Sequence, residues 1–425
     1  KVIYLDGFSR NKKKQAQVPD ELFFTKEATI DLSDEYGDKK KRSETIYGLF
    51  EIFNRYKFTV NENTPIEEEV ALDPELLGRV FENLLASYNP ETKTTARKQT
   101  GSFYTPREIV NYMVDESLKA YLKQKLETKA KMNPQDAEIA LESLISYNEQ
   151  KHTFYEKQVL TLINAIDNCK ILDPAAGSGA FPMGILHKFV HILHKLDPQN
   201  KLWKERQIEK VNLCIKDAEK INDSTFRDKI ISDLESSKKD IEESFENNEL
   251  DYGRKLYLIE NCIYGVDIQP IATQISKLRF FISLIVDQKA DKTKNNFGIR
   301  PLPNLETKFV AANTLIGIEK PSQQMQLFDN EEVRQLEESL KDVRHQLFSA
   351  KTPLTKRKLR EKDKQIRQKI STILEKEGWG SETAHQLASW DPYNQNTTNS
   401  WFDPEWMFGI KDGFDIVIEI GRAHV

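Results

Sequence analysis

The recurrence of apolar positions predicts many helices separated by a few short, wholly apolar strands. In "DPELLGRVFENLLASY", Asp73 caps a helix, Pro74 takes its first position, and Leu76, Leu77, Val80, Phe81, Leu84 and Leu85 repeat on one face. In "YTPREIVNYMVDESLKAYL", Thr105 reads as the cap, Pro106 as the first position and Glu108 as the end of a capping box, with Ile109, Val110, Met113 and Leu118 as the buried stripe. Charged helical text from about 119 to 160 leads to "NCKILDPAAGSGAFPMGILHKFVHILHKL", which reads as a strand ending at Asp173, a glycine turn, and a helix from near Phe181. "CIYGVDIQPIATQISKLRFFISLI" repeats strand then helix, with the strand ending in Asp267. "TKFVAANTLIG" supplies a third strand ending in Asn313, and Phe414 to Ile418 a fourth, opened by an aspartate. Strands this apolar are buried on both faces, as in an open α/β sheet, where the strand ends line the active site.

Two polar stretches interrupt this pattern. The first, about 197–253, is charged and helical and is expected to be an insertion between the first two strands. The second, about 331–377, places Val333, Leu336, Leu340, Val343 and Leu347 at heptad spacing, breaks at Pro353, and resumes with Leu359, Ile366, Ile370 and Ile373. It predicts an antiparallel helical hairpin whose basic second arm, "KRKLREKDKQIRQK", is expected to be a solvated face. Residues 1–96 read as a partial N-terminal helical or connector region, with the lysine runs "NKKK" and "DKKKR" at the surface, and 97–418 as the core.

Composition narrows the options. With 425 residues the chain can bury a sizeable core, and its 30% charged residues suit long exposed helices. A net charge of −5 argues against a nucleic-acid surface over the whole chain, leaving local patches. Cys169, Cys214 and Cys262 show neither paired nor zinc-finger spacing, so a reducing cytoplasm is expected and neither disulfide nor zinc is. No apolar run reaches the roughly 18 residues of a membrane span. His187, His191 and His194 share a helix, but no further metal ligand accompanies them, and they read as a polar face with no metal expected.

The chemistry concentrates at the glycine turn. Gly177 and Gly179 permit positive φ and let a ligand approach the backbone. No lysine follows Gly179, which excludes a phosphate loop of the NTPase kind, and Pro182 stands where a dinucleotide fingerprint wants a third glycine. An acid at the strand end repels a pyrophosphate and suits a ligand with an ammonium group and no phosphates, such as S-adenosylmethionine. Asp267 can accept both hydroxyls of a ribose, and the Asn313 amide can read an adenine edge. Each has a plain alternative, Asp267 as a helix cap and Asn313 as a turn residue; together and in order they point to one cleft.

These residues resemble the adenine-specific DNA methyltransferases of restriction-modification systems, in particular the type IIG family in which restriction enzyme and methylase are fused. "TGSFYTPREIV" is similar to motif X of that family, "LDPAAGSGAF" to motif I, "YGVDIQPIA" to motif II and "NTLIG" to motif III, in the gamma-class order. The likeness extends over roughly Glu69 to Ile418 apart from the insertions. It implies a Rossmann-like S-adenosylmethionine-dependent methyltransferase core, incomplete here, with a helical N-terminal part and helical insertions. It further implies that Tyr104, Thr105 and Pro106 flank the methionine part of the cofactor, that Asp173, Ala175, Gly177, Gly179 and Phe181 hold its amino-acid end, and that Asp267 and Asn313 take ribose and adenine. The partner implied is double-stranded DNA with one adenine flipped out.

In the family the strand "FDIVI" continues with Gly-Asn-Pro-Pro-Tyr, which grips the flipped base. Here Glu419 to Val425 follow instead. Read back as GAG ATC GGA AGA GCA CAC GTC, they resemble a common sequencing adapter joined to the first base of the expected glycine codon. The expectation is therefore a truncated gene, a non-native tail at 419–425 and no methylation by the piece itself. Lys1, without a methionine, suggests an internal start. Two competing readings stand beside the DNA enzyme: a methyltransferase acting on a protein glutamine amide, which shares the Asn-Pro-Pro-Tyr chemistry, and a non-catalytic scaffold or specificity module with a relic cofactor fold.

Overall fold

A computed structural model of the chain describes residues 20–31, 42–55, 88–89, 94–95, 105–148, 150–219, single positions between 224 and 242, and then 250–288, 293, 299, 302–318, 331–350, 353–376, 381–394 and 396–420. The predicted helix from Asp73 and the candidate residue Tyr104 lie outside them. The chain divides into Lys1–Asp73 and Pro74–Val425. In the first unit, α1 (Glu21–Phe24), β1 (Ala28–Ile30), β2 (Glu44–Ile46) and α2 (Leu49–Arg55) follow in order. β1 and β2 pair antiparallel, and the rings of Phe23, Phe24 and Phe50 stack with centroids 5.2–6.4 Å apart.

Among the described residues of the second unit, a two-stranded antiparallel ribbon comes first, β3 (Tyr88–Asn89) and β4 (Thr94–Thr95). There follow α3 (Arg107–Lys125), prolonged by a wide π turn over Leu126–Ala130, then α4 (Pro134–Ile145), α5 (Glu156–Asn168), β5 (Ile171–Asp173), α6 (Ala180–Leu196), α7 (Lys201–Ala218) and α8 (Leu250–Asn261). β6 (Ile263–Asp267), α9 (Pro270–Val286), β7 (Phe309–Ala311), α10 (Glu331–Ser349), α11 (Pro353–Lys376), α12 (Ser381–Ser389), α13 (Pro404–Phe408) and β8 (Ile416–Val417) complete it. The four predicted strands form one parallel sheet in the order β7-β6-β5-β8. Chain order therefore runs outward from β5 to β7, and β8 then returns to the other side of β5. A crevice opens at such a reversal, outside the carboxyl ends of the strands.

Alternation along the strands feeds two apolar layers. Ile171, Ile263, Phe309, Ile416 and Ile418 pack with the buried stripes of α3 to α6 and α8 and with Phe280 and Leu284 of α9. Leu172, Tyr264, Val266 and Val310 point the other way, onto Leu340 and Val343 of α10, Ile366, Ile370 and Leu374 of α11, and Trp406, Met407 and Phe408 of α13. The polar stretch 331–377 is thus the layer that closes one face of the sheet. Its basic arm is solvated only on the outside. Asp363, fully buried, binds Arg367 at 2.7 Å and Arg344 at 3.0 Å, and Arg344 also donates to the carbonyl of Trp406 at 2.7 Å. Leu374, rather than the predicted Ile373, takes the last buried position of α11.

The start of α3 departs from its sequence reading. Pro106, at φ −57° and ψ 143°, stands just outside the helix, and no side chain caps it, so Thr105 is one residue too early to serve. The buried stripe runs through Val110, Val114, Leu118, Tyr121 and Leu122, while Ile109 is 41% exposed.

Candidate functional site

The turn from β5 into α6 is built from backbone bonds that only glycines permit. Gly177 lies at φ +54° and Gly179 at φ +85°, a region costly for residues with a Cβ. Their spatial roles differ. A Cβ on Gly179 would meet the Ser276 hydroxyl at 2.9 Å, so this glycine lets the turn press against α9. A Cβ on Gly177 would find nothing nearer than the Ala175 carbonyl at 3.9 Å, so this one leaves open space beside the turn. The neighbouring strand and helix lock the turn. The Ala176 N–H donates to the Val266 carbonyl at 2.8 Å, the Ser276 hydroxyl to the Gly177 carbonyl at 2.9 Å, and the Arg279 guanidinium to the Ser178 carbonyl at 3.0 Å.

Two carboxylates face this turn. Asp267, at the tip of β6, accepts the Gly177 N–H at 2.9 Å through one oxygen and the Gln269 N–H at 2.7 Å through the other. It therefore joins the tips of β5 and β6 while each oxygen keeps a lone pair. Burial raises its pKa, against the pull of those two N–H groups. Asp173 is 2% exposed; one oxygen accepts the Ala175 N–H at 3.1 Å and the other has no partner. Burial pushes this carboxyl up to about 8, the charges of Asp267 and Glu419 adding to the effect. An acceptor left without a donor inside a protein is costly, and a cationic donor would relieve it.

The remaining candidates take varied places. Ala175 is exposed on the turn, and Phe181 is buried in the apolar layer behind it, 3% exposed, where it can anchor the turn but is shielded from solvent. Asn313 follows β7, its side-chain carbonyl accepting the Leu315 N–H at 3.1 Å, so it is a turn residue whose amide N–H₂ remains as a donor. Thr105 and Pro106 reach the same end of the molecule as the glycine turn through helix packing. A Cβ on Gly184 of α6 would touch Val110 at 2.8 Å, and Lys188 of α6 pairs with Asp115 of α3 at 2.9 Å. The contacts advance in the same direction along both helices, so α3 and α6 run parallel with their N-termini together.

Two apolar residues escaped the sequence reading. Ile268, directly after Asp267, is 56% exposed, and Leu315, two residues after Asn313, is 93% exposed. An apolar residue just past a polar strand end was their only signal. Of the histidines on α6, His191 serves packing: its ring nitrogen lies 3.0 Å from the Ser146 carbonyl, and its ring packs on Tyr147; His194 is exposed. No described helix is long and apolar enough to cross a membrane.

Residues 261–418 match the family of Eco57I restriction-modification methylases, a span holding β6, β7, β8, Asp267 and Asn313. The chain is also 28% identical, over 320 residues, to a Methanocaldococcus jannaschii protein named as a type II restriction enzyme and methyltransferase; the alignment covers 74% of this chain and 21% of that protein. The chain thus spans about a fifth of the length of the curated relative it matches. Both likenesses are to methyltransferases of restriction-modification systems, the group that the four motifs resemble.

Proposed function

We propose that this chain is the cofactor-binding part of a DNA methyltransferase that uses S-adenosylmethionine to methylate the N6 amino group of adenine in a restriction-modification system. The observation that carries the reading is the unpartnered oxygen of Asp173, buried beside an open glycine turn at the tip of the central strand. That oxygen fits the ammonium of an amino acid and no phosphate. Asp173 would hold the ammonium, the backbone of Ala175, Gly177 and Gly179 would admit the methionine portion, and Asp267 would accept the ribose hydroxyls with its free lone pairs. Asn313 would donate to the adenine, with Ile268 and Leu315 as apolar walls, and Tyr104, Thr105 and Pro106 would flank the methionine from the start of α3. Phe181 would act by anchoring the turn.

When bound, the cofactor supplies an electrophilic methyl group on a sulfonium. The part of these residues is to orient that group and keep the cofactor in one pose, which lowers the entropic barrier to in-line transfer. A flipped adenine would enter beside it, because β8 lies next to β5 and the tip of β8 is where the family carries its base-gripping motif. Similarity to restriction-modification proteins favours DNA over a glutamine amide.

Calorimetry with S-adenosylmethionine tests the reading. The chain should bind, and Asp267→Ala, which removes two charge-assisted hydrogen bonds, should weaken binding by at least roughly tenfold. Absence of binding by a folded wild-type chain would overturn the cofactor assignment. Methylation of a protein amide instead of DNA adenine, by a parent-length protein bearing Asn-Pro-Pro-Tyr after Ile418, would overturn the substrate.

A further inference from the structure

On the outer edge of the sheet, β7 and α9 enclose a cavity of about 130 Å³ together with the loop that follows α12. The loop is fixed along the strand: the Asn399 N–H donates to the Ala311 carbonyl at 2.9 Å, and the Asn313 N–H to the Asn399 carbonyl at 3.0 Å. Lys277 of α9 lines the floor. It is 6% exposed, and its ammonium makes no hydrogen bond or ion pair among the described residues. Glu306 binds Arg360 at 2.9 Å through one oxygen and leaves its other oxygen buried without a partner; it attracts the Lys277 ammonium without a direct ion pair. At the mouth, the side-chain N–H₂ of Asn394 and the hydroxyl of Thr397 are donors that no described residue engages. The Asp391 carboxylate also reaches the mouth, but one of its oxygens is turned back to accept the Tyr393 N–H at 3.0 Å.

A buried ammonium with no direct ion pair or hydrogen bond is costly, and a carboxylate acting from a distance offsets only part of that cost. Cavities for whole small molecules measure about 300–1,000 Å³, so this one has room for a single functional group. We propose that this cavity, which adjoins the proposed cofactor cleft through the bonds of Asn399 to Asn313 and of Thr398 to Ile268, is an anion subsite that takes one phosphoryl group against Lys277, with Asn394 and Thr397 as donors. The phosphoryl group can come from free phosphate or from the backbone of a DNA strand passing the edge of β7. The proposal stands independently of the cofactor assignment. In keeping with it, burial holds the Lys277 amine down to about 8, a value that a bound anion would raise.

The test is acylation of the whole chain with acetic anhydride at a pH of about 8, read residue by residue by peptide mass spectrometry. Inorganic phosphate at about ten times its dissociation constant should slow labelling of Lys277 roughly tenfold, because only about a tenth of the sites stay empty. Exposed lysines should be unaffected, and sodium chloride of equal ionic strength should not protect. Protection by phosphate alone identifies a free anion as the source; protection by a short duplex at far lower concentration identifies the DNA backbone. Protection by neither, or by chloride equally, overturns the proposal. As a second measurement, phosphate should raise the melting temperature of the wild type and leave that of Lys277→Met unmoved. An equal rise in both would also overturn it.

Discussion

Replacing Asp173 by asparagine separates the requirements of the empty fold from those of the proposed cofactor. In the folded chain burial holds the carboxyl near 8, whereas in the unfolded chain it ionises near 3.9. Between those values the folded state keeps a proton that the unfolded state has lost, so this group's contribution to stability is full below about pH 4 and is lost as the pH rises through about 8. Four pKa units at about 1.4 kcal/mol each set a ceiling on the order of 5 kcal/mol, and relaxation of the turn will lower it. In Asp173→Asn the side-chain carbonyl can still accept the Ala175 N–H, but the substitution places an unpaired N–H₂ where the free carboxyl oxygen was, at a pH-independent cost of about 1–3 kcal/mol. Urea unfolding should find the variant less stable than wild type at pH 5 and equal or more stable at pH 9. Binding of an ammonium ligand should in turn drive the proton off. Calorimetry near pH 7 in buffers of different ionisation enthalpy should detect close to one proton released by wild type and none by Asp173→Asn. Stability curves that stay parallel from pH 5 to 9, with no proton release on binding, would refute the reasoning.

Two further substitutions probe the scaffold. Gly184→Ala sets a methyl against Val110 at 2.8 Å and should cost about 1–3 kcal/mol in urea unfolding, with part recovered in the double variant Gly184→Ala, Val110→Ala; no recovery would show that α3 and α6 do not meet there. Asp363→Ala leaves Arg344 and Arg367 buried without their shared carboxylate and should cost about 3–5 kcal/mol. Burial pushes the Asp363 pKa up, but the two arginines outweigh it and hold the carboxyl below its ordinary value, so the wild type should also lose stability as pH falls below about 4 and the variant should lose less; equal losses would remove Asp363 as the cause.

The glycine turn was legible in the sequence because its causes are local: a strand too apolar to be exposed, an acid, then residues able to hold φ +54° and +85° close behind it. The tips at Asp267 and Asn313 were legible for the same reason. The cap of α3 was not, since whether Thr105 or Pro106 adjoins the first helical turn depends on one backbone angle that neighbouring text does not fix. The sequence by itself determined the strands, the turn and the residue types offered at each strand end. Only the tertiary structure decided that β8 returns beside β5, that the charged hairpin α10 and α11 covers a sheet face, and that Asp173 keeps an unpaired oxygen. A charge reads as solvated until its partner is known; the partner of Asp363 in α10 lies 19 residues away, a contact set by which faces pack and not by local propensity.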